Sequence, residues 1–225
     1  MITVLRTSAV LLAGRRYWLL PFLPLVWLGI QAVMLLAGMR PSVEPAAAQN
    51  SLIGVPVAVL AIFLGGRTIT GELDQHSLEI AYTVPGGAHR VWLGKLIAAI
   101  LILLSSLILL ATFTYAFFTD FPVLQSLYGA TQGVVFYLAA AMGFGTLFRS
   151  EVAGSLATIG VLGLNRLLGS FRISPFWNPL AVEEADAAQM LALNVQNRIG
   201  VALAIAAIVA LTFTRAERRE KMLGG

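Results

Sequence analysis

Residue types that catalyse reactions are sparse in this chain, and their spacing matches no catalytic motif. There is no cysteine, which excludes disulfides, thiol nucleophiles and cysteine-ligated zinc. His76 and His89 are too far apart for the HExxH motif, and no serine lies in a GxSxG motif. A metal site needs three or four ligands, so the two histidines are interpreted as surface residues. The chain also has no GxxxxGK[ST] phosphate-binding loop.

Charged side chains that could bind a partner are concentrated in one polar stretch, Arg67–Lys95. This stretch lies between two apolar runs, Leu52–Gly66 and Leu93–Phe118. A charge at the centre of a bilayer costs about 2.5–3.5 kcal/mol on insertion scales. We therefore expect the stretch to stand in water at one membrane face. Its charged members include Glu72, Asp74, Glu79, Arg90 and Lys95.

The composition is that of an integral membrane protein. Hydrophobic residues make up 58% of the 225 residues, charged residues 12%, and the mean hydropathy is +0.85. Soluble domains have about 25% charged residues, so this chain could not cover a globular surface with its polar side chains. The net charge of +4 is modest, and its placement along the chain matters more than its size. We expect contact with membrane lipids and none with nucleic acid.

The apolar segments predict an all-α membrane protein with six transmembrane helices in a single domain, residues 1–225. A helix needs about 20 apolar residues to cross a bilayer. The second segment begins near Ala48 or Leu52. The six segments are Tyr17–Met39, Leu52–Gly66, Leu93–Phe118, Leu124–Phe148, Val152–Leu168 and Arg198–Thr214.

The basic residues predict the orientation of these helices. With six spans, both termini lie on one side, which then receives eleven of the 15 Lys and Arg residues. Cytoplasmic loops carry the excess of basic residues. The N- and C-termini, the Arg67–Lys95 stretch and Arg149 are therefore predicted to be cytoplasmic, in a multi-pass protein of the plasma membrane (the bacterial inner membrane).

The N-terminal residues 1–16 predict a short amphipathic helix. Ile2, Leu5, Ala9 and Leu12 recur at helical spacing, which suits a helix that lies in the membrane interface. The alternative is that these residues simply begin the first spanning helix.

The polar stretch contains a second candidate amphipathic helix, Thr70–Tyr82, which Pro85-Gly86-Gly87 ends. Such a helix could lie along the membrane surface and transmit force to both spans joined to it. The alternative is a solvated loop without a partner. One face carries Leu73, Ser77 and Ile80, with Leu78 offset toward it, and the other carries Glu72, Gln75, His76 and Glu79.

This segment resembles the intracellular loop of the type-2 family of ATP-binding-cassette permeases, the exporter class. The order of an arginine, a glutamate, a short Thr-Leu-Glu-like tract, a proline, a basic residue and a lysine is similar. Gln75-His76 and Ser77 depart from the residues common in that family. The matching positions are Arg67, Glu72, Ser77-Leu78-Glu79, Pro85, Arg90 and Lys95.

The resemblance implies that residues 67–92 form a cytoplasmic coupling loop that docks on a separate ATPase subunit. Glu72 would begin the coupling helix near its positive dipole end. Leu78 and Ile80 would pack it, and Glu79 and Asp74 could pair with basic side chains of the ATPase. This chain would bind no cofactor itself, since ATP and Mg²⁺ would be held by the ATPase. A second permease chain, identical or different, would complete the exporter.

Two further features of the apolar segments each allow two interpretations. Gly129 and Gly133 form a GxxxG motif, which fits packing within one chain or a seam between two. Asn165 and Arg166 fall within the fifth segment, where an arginine is a candidate pathway residue or extends its side chain outward to the membrane surface.

The mixed segment 169–197 resembles the family's extracellular re-entrant or surface helices, and an ordinary external loop is the alternative. Phe176, Trp177 and Leu180 would dip into the membrane interface. The acidic residues Glu183, Glu184 and Asp186 would stand in water.

Two other classes of protein fit the sequence less well than an exporter subunit does. A membrane-embedded enzyme would need paired acidic or histidine-containing sites at depth in the spans, and the sequence has none. A secondary transporter or channel would need buried carboxylates for ion coupling, whereas the apolar segments hold essentially no Asp or Glu.

Overall fold

A computed structural model describes residues 2–39, 42–74, 87–167, 173–181 and 187–218. Within these ranges the chain is helical and contains no strand. The helices are α1 (Ile2–Ala13), α2 (Leu25–Leu36), α3 (Pro45–Ala47), α4 (Val55–Asp74), α5 (Ala88–Phe117), α6 (Val123–Phe148), α7 (Glu151–Leu167) and α8 (Ala187–Ala216). Two 3₁₀ turns, Tyr17–Phe22 and Pro179–Ala181, and a π-helical stretch, Ala48–Gly54, connect them.

Five helical segments of the described chain are long and apolar enough to cross a membrane. The prediction of an all-helical chain is thereby confirmed for the described residues, which contain five candidate spans where six were predicted. Helix α7, on the predicted fifth span, has 17 residues and falls short of the length of the others. The five segments are Tyr17–Leu36, Pro45–Glu72, Ala88–Phe117, Val123–Phe148 and Ala188–Ala216.

Helices α4 and α6 form the centre of the bundle. They approach so closely that a Cβ added at Gly65 would collide with the carbonyl oxygen of Leu138. Leu64 and Leu138 are fully buried at this contact, which places the core along the α4–α6 seam. Small residues permit such close backbone approach, and in lipid this packing is a main source of helix association.

Both helices that border the polar stretch are longer than the sequence predicted. The second span was expected to end at Gly66, but α4 continues to Asp74, and α5 begins at Ala88 rather than Leu93. The hydroxyls of Thr68 and Thr70 are buried and donate to carbonyl oxygens one turn earlier in α4. Both hydroxyls are thus hydrogen-bonded within the helix. The helix can therefore continue beyond the apolar run, which ends at Gly66, without burying unpaired polar groups.

Helix α1 is separate from the apolar helix that follows it. The chain leaves α1 at Gly14, whose φ of +79° favours glycine. Ala9 and Leu12 are buried, and Ser8 lies so close to Gly94 of α5 that an added Cβ would be 2.8 Å from its hydroxyl oxygen. One face of α1 therefore packs on the first turns of α5.

Helix α7 runs antiparallel to α4 along most of its length. At one end Arg67 Nε lies 3.4 Å from Glu151 Oε1. At the other end Arg166 Nη2 donates to Ser51 Oγ at 3.3 Å. Sixteen helical residues separate Ser51 from Arg67, a rise of about 24 Å. Despite its 17 residues, α7 thus extends between the two ends of the bundle.

The glycines of the GxxxG motif pack within this chain. A Cβ at Gly129 would lie 2.6 Å from the amide of Gln49. One at Gly133 would collide with the ring of Phe176 and lie 2.8 Å from the Pro175 carbonyl oxygen. Of the two interpretations offered by the sequence, the structure thus gives both glycines an intramolecular role.

We predict that Gly133→Ala lowers the stability of the detergent-purified protein by about 1–3 kcal/mol, the usual cost of overpacking a core. Gly160→Ala is the matched control, because Gly160 is also helical but has nothing within 4 Å of the added methyl. Thermal unfolding followed by circular dichroism should show a lower midpoint for Gly133→Ala only. Equal midpoints for the two variants would contradict the proposed contact with Phe176.

Candidate functional site

The two ends of the polar stretch are joined by a buried ion pair. Lys95 Nζ donates to Glu72 Oε1 at 2.7 Å. The side chain of Lys95 is 4% exposed and that of Glu72 is 12% exposed. Glu72 belongs to the last turns of α4 and Lys95 to the second turn of α5. The pair therefore fixes the end of one long helix against the start of the next.

Two aromatic residues complete this site. Trp92, which is fully buried, donates its indole N–H to Glu72 Oε2 at 3.1 Å. Its ring stacks on Phe213 of α8, with centroids 6.3 Å apart and planes 10° apart. Glu72, Trp92, Lys95 and Phe213, which we call the Glu72 junction, thus link α4, α5 and α8.

The burial of this pair makes each partner depend on the other. Removing an ion from water costs several kcal/mol, and only close, well-bonded partners offset that cost. Here each oxygen of the Glu72 carboxylate accepts a hydrogen bond, one from the Trp92 indole and one from the Lys95 ammonium. Loss of either charge would leave the other buried without its counter-ion.

Two predictions about these residues are wrong. Glu72 does not begin a helix near a positive dipole end, because it lies 17 residues after the first residue of α4. Lys95 does not stand in water, because it is 3% exposed inside the bundle. Composition alone suggested water for every charge in the stretch. A charge that finds its counter-ion on a neighbouring helix can be buried instead.

Most of the other predicted coupling residues lie outside the described part of the chain. These are Ser77, Leu78, Glu79, Ile80 and Pro85, within residues 75–86. Asp74 is the final residue of α4. The structure describes the helices on either side of this segment, α4 before it and α5 after it.

Arg67 forms a second contact at this end of the bundle. Its guanidinium pairs with Glu151 of α7 and lies over the ring of Phe63, 5.3 Å from the centroid. The two charged side chains are 30% and 23% exposed. Such partly exposed pairs contribute about 0–1 kcal/mol, so this contact orients α7 more than it stabilises it.

The start of α5 and the ends of α6 and α8 also make contacts at this end of the bundle. His89 Nδ1, in the first turn of α5, lies 3.7 Å from Glu217 Oε1, just after α8. Arg215 Nη2 donates to the carbonyl oxygen of Leu147 in α6 at 3.4 Å. Residues 75–86 therefore connect two helices whose ends are tied to α7 and α8 at one surface of the bundle.

At the opposite end, a short segment is hydrogen-bonded into the bundle. Gln49 and Asn50, in the π-helical stretch, donate side-chain N–H groups to the carbonyls of Trp177 and Phe176 at 2.8 and 3.1 Å. Asn178 donates to the carbonyl of Ala46 at 2.7 Å. The first two amides thus satisfy backbone carbonyl oxygens of irregular chain, which has no helical ladder of its own to do so.

Phe176 fills the centre of this end. It is 6% exposed, lies 5.3 Å from the ring of Tyr137, and occupies space left by Gly54 and Gly133. The prediction that Phe176 dips into the membrane interface is therefore wrong, because its ring packs inside the protein. An aromatic residue suits either environment, so the sequence alone did not distinguish them. Leu180 is 39% exposed.

Asn165 and Arg166 form hydrogen bonds at this end of the bundle. Asn165 Oδ1 accepts a hydrogen bond from Ser174 Oγ at 2.9 Å, and Arg166 reaches the Ser51 hydroxyl. Arg166 is exposed at the end of α7, which fits the interpretation that its side chain extends outward.

A polar contact that the sequence analysis missed joins α6 to α8. Arg198 Nη1 donates to Gln132 Oε1 at 2.9 Å, and Gln132 Nε2 donates to the Arg198 carbonyl at 2.7 Å. The guanidinium also lies 5.1 Å from the centroid of the Tyr128 ring. The sequence signal for this contact was the presence of a glutamine and an arginine within two otherwise apolar helices.

The described residues offer no group of three His, Asp or Glu side chains that could hold a metal ion. Comparisons with protein-family models, curated proteins and solved structures found no match. Since neither a relative nor a metal site among the described residues indicates a function, a functional interpretation depends on the contacts of the Glu72 junction.

We predict that Lys95→Met and Glu72→Gln each destabilise the protein by about 3–5 kcal/mol, because each leaves a buried group without its partner. The double variant should recover most of that loss, since neither charge then remains. A double-mutant cycle of unfolding in detergent measures the coupling.

The matched control is the partly exposed pair, where Arg67→Gln should cost at most about 1 kcal/mol. Additive losses for Glu72→Gln and Lys95→Met would show that the two side chains do not interact.

Proposed function

We propose that this chain is the permease subunit of an ATP-driven exporter, moved by a separate cytoplasmic ATPase. The observation that carries the proposal is the Glu72 junction. It ties the helix before residues 75–86 to the helix after them and to α8. A partner that pushes on this segment would move three long helices together, as a coupling element requires.

The proposed topology has six spans with both termini in the cytoplasm. Helix α7 supplies the additional span, supported by its contacts with Arg67 at one end of α4 and Ser51 at the other. Helix α1 would lie in the cytoplasmic interface against α5. The positive-inside rule then puts the Glu72 end of the bundle in the cytoplasm and Phe176 near the outside.

The working unit would contain two permease chains and two ATPase chains, with ATP and Mg²⁺ bound by the ATPases. Residues 75–86 would dock on the ATPase surface. Closure of the ATPases would tilt α4 and α5 through the Glu72 junction. The outer end, closed by Phe176, would then open for export.

A proton- or ion-coupled transporter fits the structure less well. Such a protein would need a carboxylate at depth in a span, and each described carboxylate side chain lies near a helix end or between helices. They are Glu44, Glu72, Asp120, Glu151 and Glu217.

The orientation is tested by single cysteines, for which the cysteine-free chain is a ready background. Asp120→Cys and Leu180→Cys should react with a membrane-impermeant maleimide on intact cells, whereas His89→Cys should react only after permeabilisation. Leu180→Cys tests α7 as a span, because it follows that helix. Labelling of His89→Cys on intact cells would overturn the orientation.

The coupling role is tested by association with an ATPase. From its native host, the detergent-extracted protein should co-purify with a polypeptide that carries a GxxxxGK[ST] loop and hydrolyses ATP. Leu78→Asp and Glu79→Arg should reduce the co-purified ATPase activity at least about tenfold, since each alters the proposed docking surface.

Asp120→Arg is the matched control, because it reverses an exposed charge at the other end of the bundle. These positions are preferable to Glu72, where a substitution would also break a buried pair. Unchanged association in both Leu78→Asp and Glu79→Arg would refute docking through this segment.

A further inference from the structure

An apolar groove lies between α6, α7 and α8, on a part of the surface separate from the Glu72 junction. It has a volume of about 330 Å³ and is open along one side. Apolar side chains line almost all of it, among them Phe136, Phe144, Val161 and Leu211. The main polar side chain is Arg215, at the end where α6 and α8 finish.

The length of the groove matches one leaflet of a bilayer. Its lining residues on α6 extend from Phe136 to Leu147, eleven residues or about 16 Å of helix. The hydrocarbon core is about 30 Å thick, so the groove reaches from near mid-depth to one surface. That surface is the one at which the Glu72 junction lies.

At the end of the groove, most of the guanidinium N–H donors of Arg215 form no hydrogen bond with the described chain. Its only hydrogen bond within the described chain is the 3.4 Å contact of Nη2 with the Leu147 carbonyl. Its Nε is buried without a partner, and no described carboxylate lies within 4 Å of the guanidinium. A guanidinium has five N–H donors in a fork that matches phosphate. Within the described part of the chain, the site therefore carries a positive charge whose N–H donors are mostly without partners.

We infer that this groove binds an anionic phospholipid of the adjacent leaflet. One acyl chain lies along the apolar wall, and the phosphate accepts hydrogen bonds from Arg215. The match is one of charge and shape together, since an apolar trough of one-leaflet length ends at a cation that has no counter-ion among the described residues. This inference does not depend on the coupling role of residues 75–86.

Lipid binding to the purified chain tests the site, with phosphatidylglycerol and phosphatidylcholine of the same acyl chains as probes in native mass spectrometry. Phosphatidylglycerol should bind about tenfold more tightly, because the cationic choline group of phosphatidylcholine offsets the attraction between its phosphate and Arg215. Arg215→Gln should abolish the preference. Arg218→Gln, one turn beyond at an exposed position, is the matched control and should keep it.

The apolar part of the groove is tested by a second pair of variants on α8. Leu211→Trp fills the groove and should weaken the binding of both lipids, whereas Leu203→Trp should not. The two leucines are 69% and 65% exposed, so neither substitution should disturb the core.

Equal affinity for the two lipids, or the same preference in Arg215→Gln, would overturn the inference. So would a Leu211→Trp variant that changes the oligomeric state but not lipid binding, because the groove would then be a contact between copies of this chain.

Discussion

The bond between Glu72 and Lys95 places opposite charges where water is almost excluded, and the arrangement of this end of the bundle follows from it. Each ion is stable there only while the other is in place. The bond holds the end of α4 against the start of α5, and Trp92 extends the contact to Phe213 on α8. The end of α4 and the start of α5 therefore cannot separate without exposing a buried charge.

The other end of the bundle is closed by packing and by neutral hydrogen bonds. Phe176 fits into space that glycines leave free, and amides of the π-helical stretch hold its segment in place. Neutral amide bonds are individually weaker than a charge-assisted pair. At the Glu72 junction the helices therefore resist separation, whereas the end closed by Phe176 could open at a lower cost in free energy. The proposed export mechanism requires this difference. The central seam between α4 and α6 connects the two.

The sequence predicted the helical membrane architecture and the location of the polar interruption, because long apolar runs and charge clusters are local signals. It did not predict that Lys95 would be buried, since its partner is 23 residues away in the chain. It ended the second span at Gly66, because the internal hydrogen bonds of Thr68 and Thr70 are visible only in the folded helix. Phe176 was assigned to the membrane interface because an aromatic side chain fits both lipid and a protein core.

We propose that the Glu72 junction transmits movement from the ATPase to the outer end of the bundle. Spin labels on Asp120→Cys and Leu180→Cys, in the permease–ATPase complex in liposomes, report that movement as a distance. We expect a non-hydrolysable ATP analogue to change the distance, and the Glu72→Gln/Lys95→Met double variant to lose the change while it still binds the ATPase. The same nucleotide-dependent change in the double variant would contradict the account.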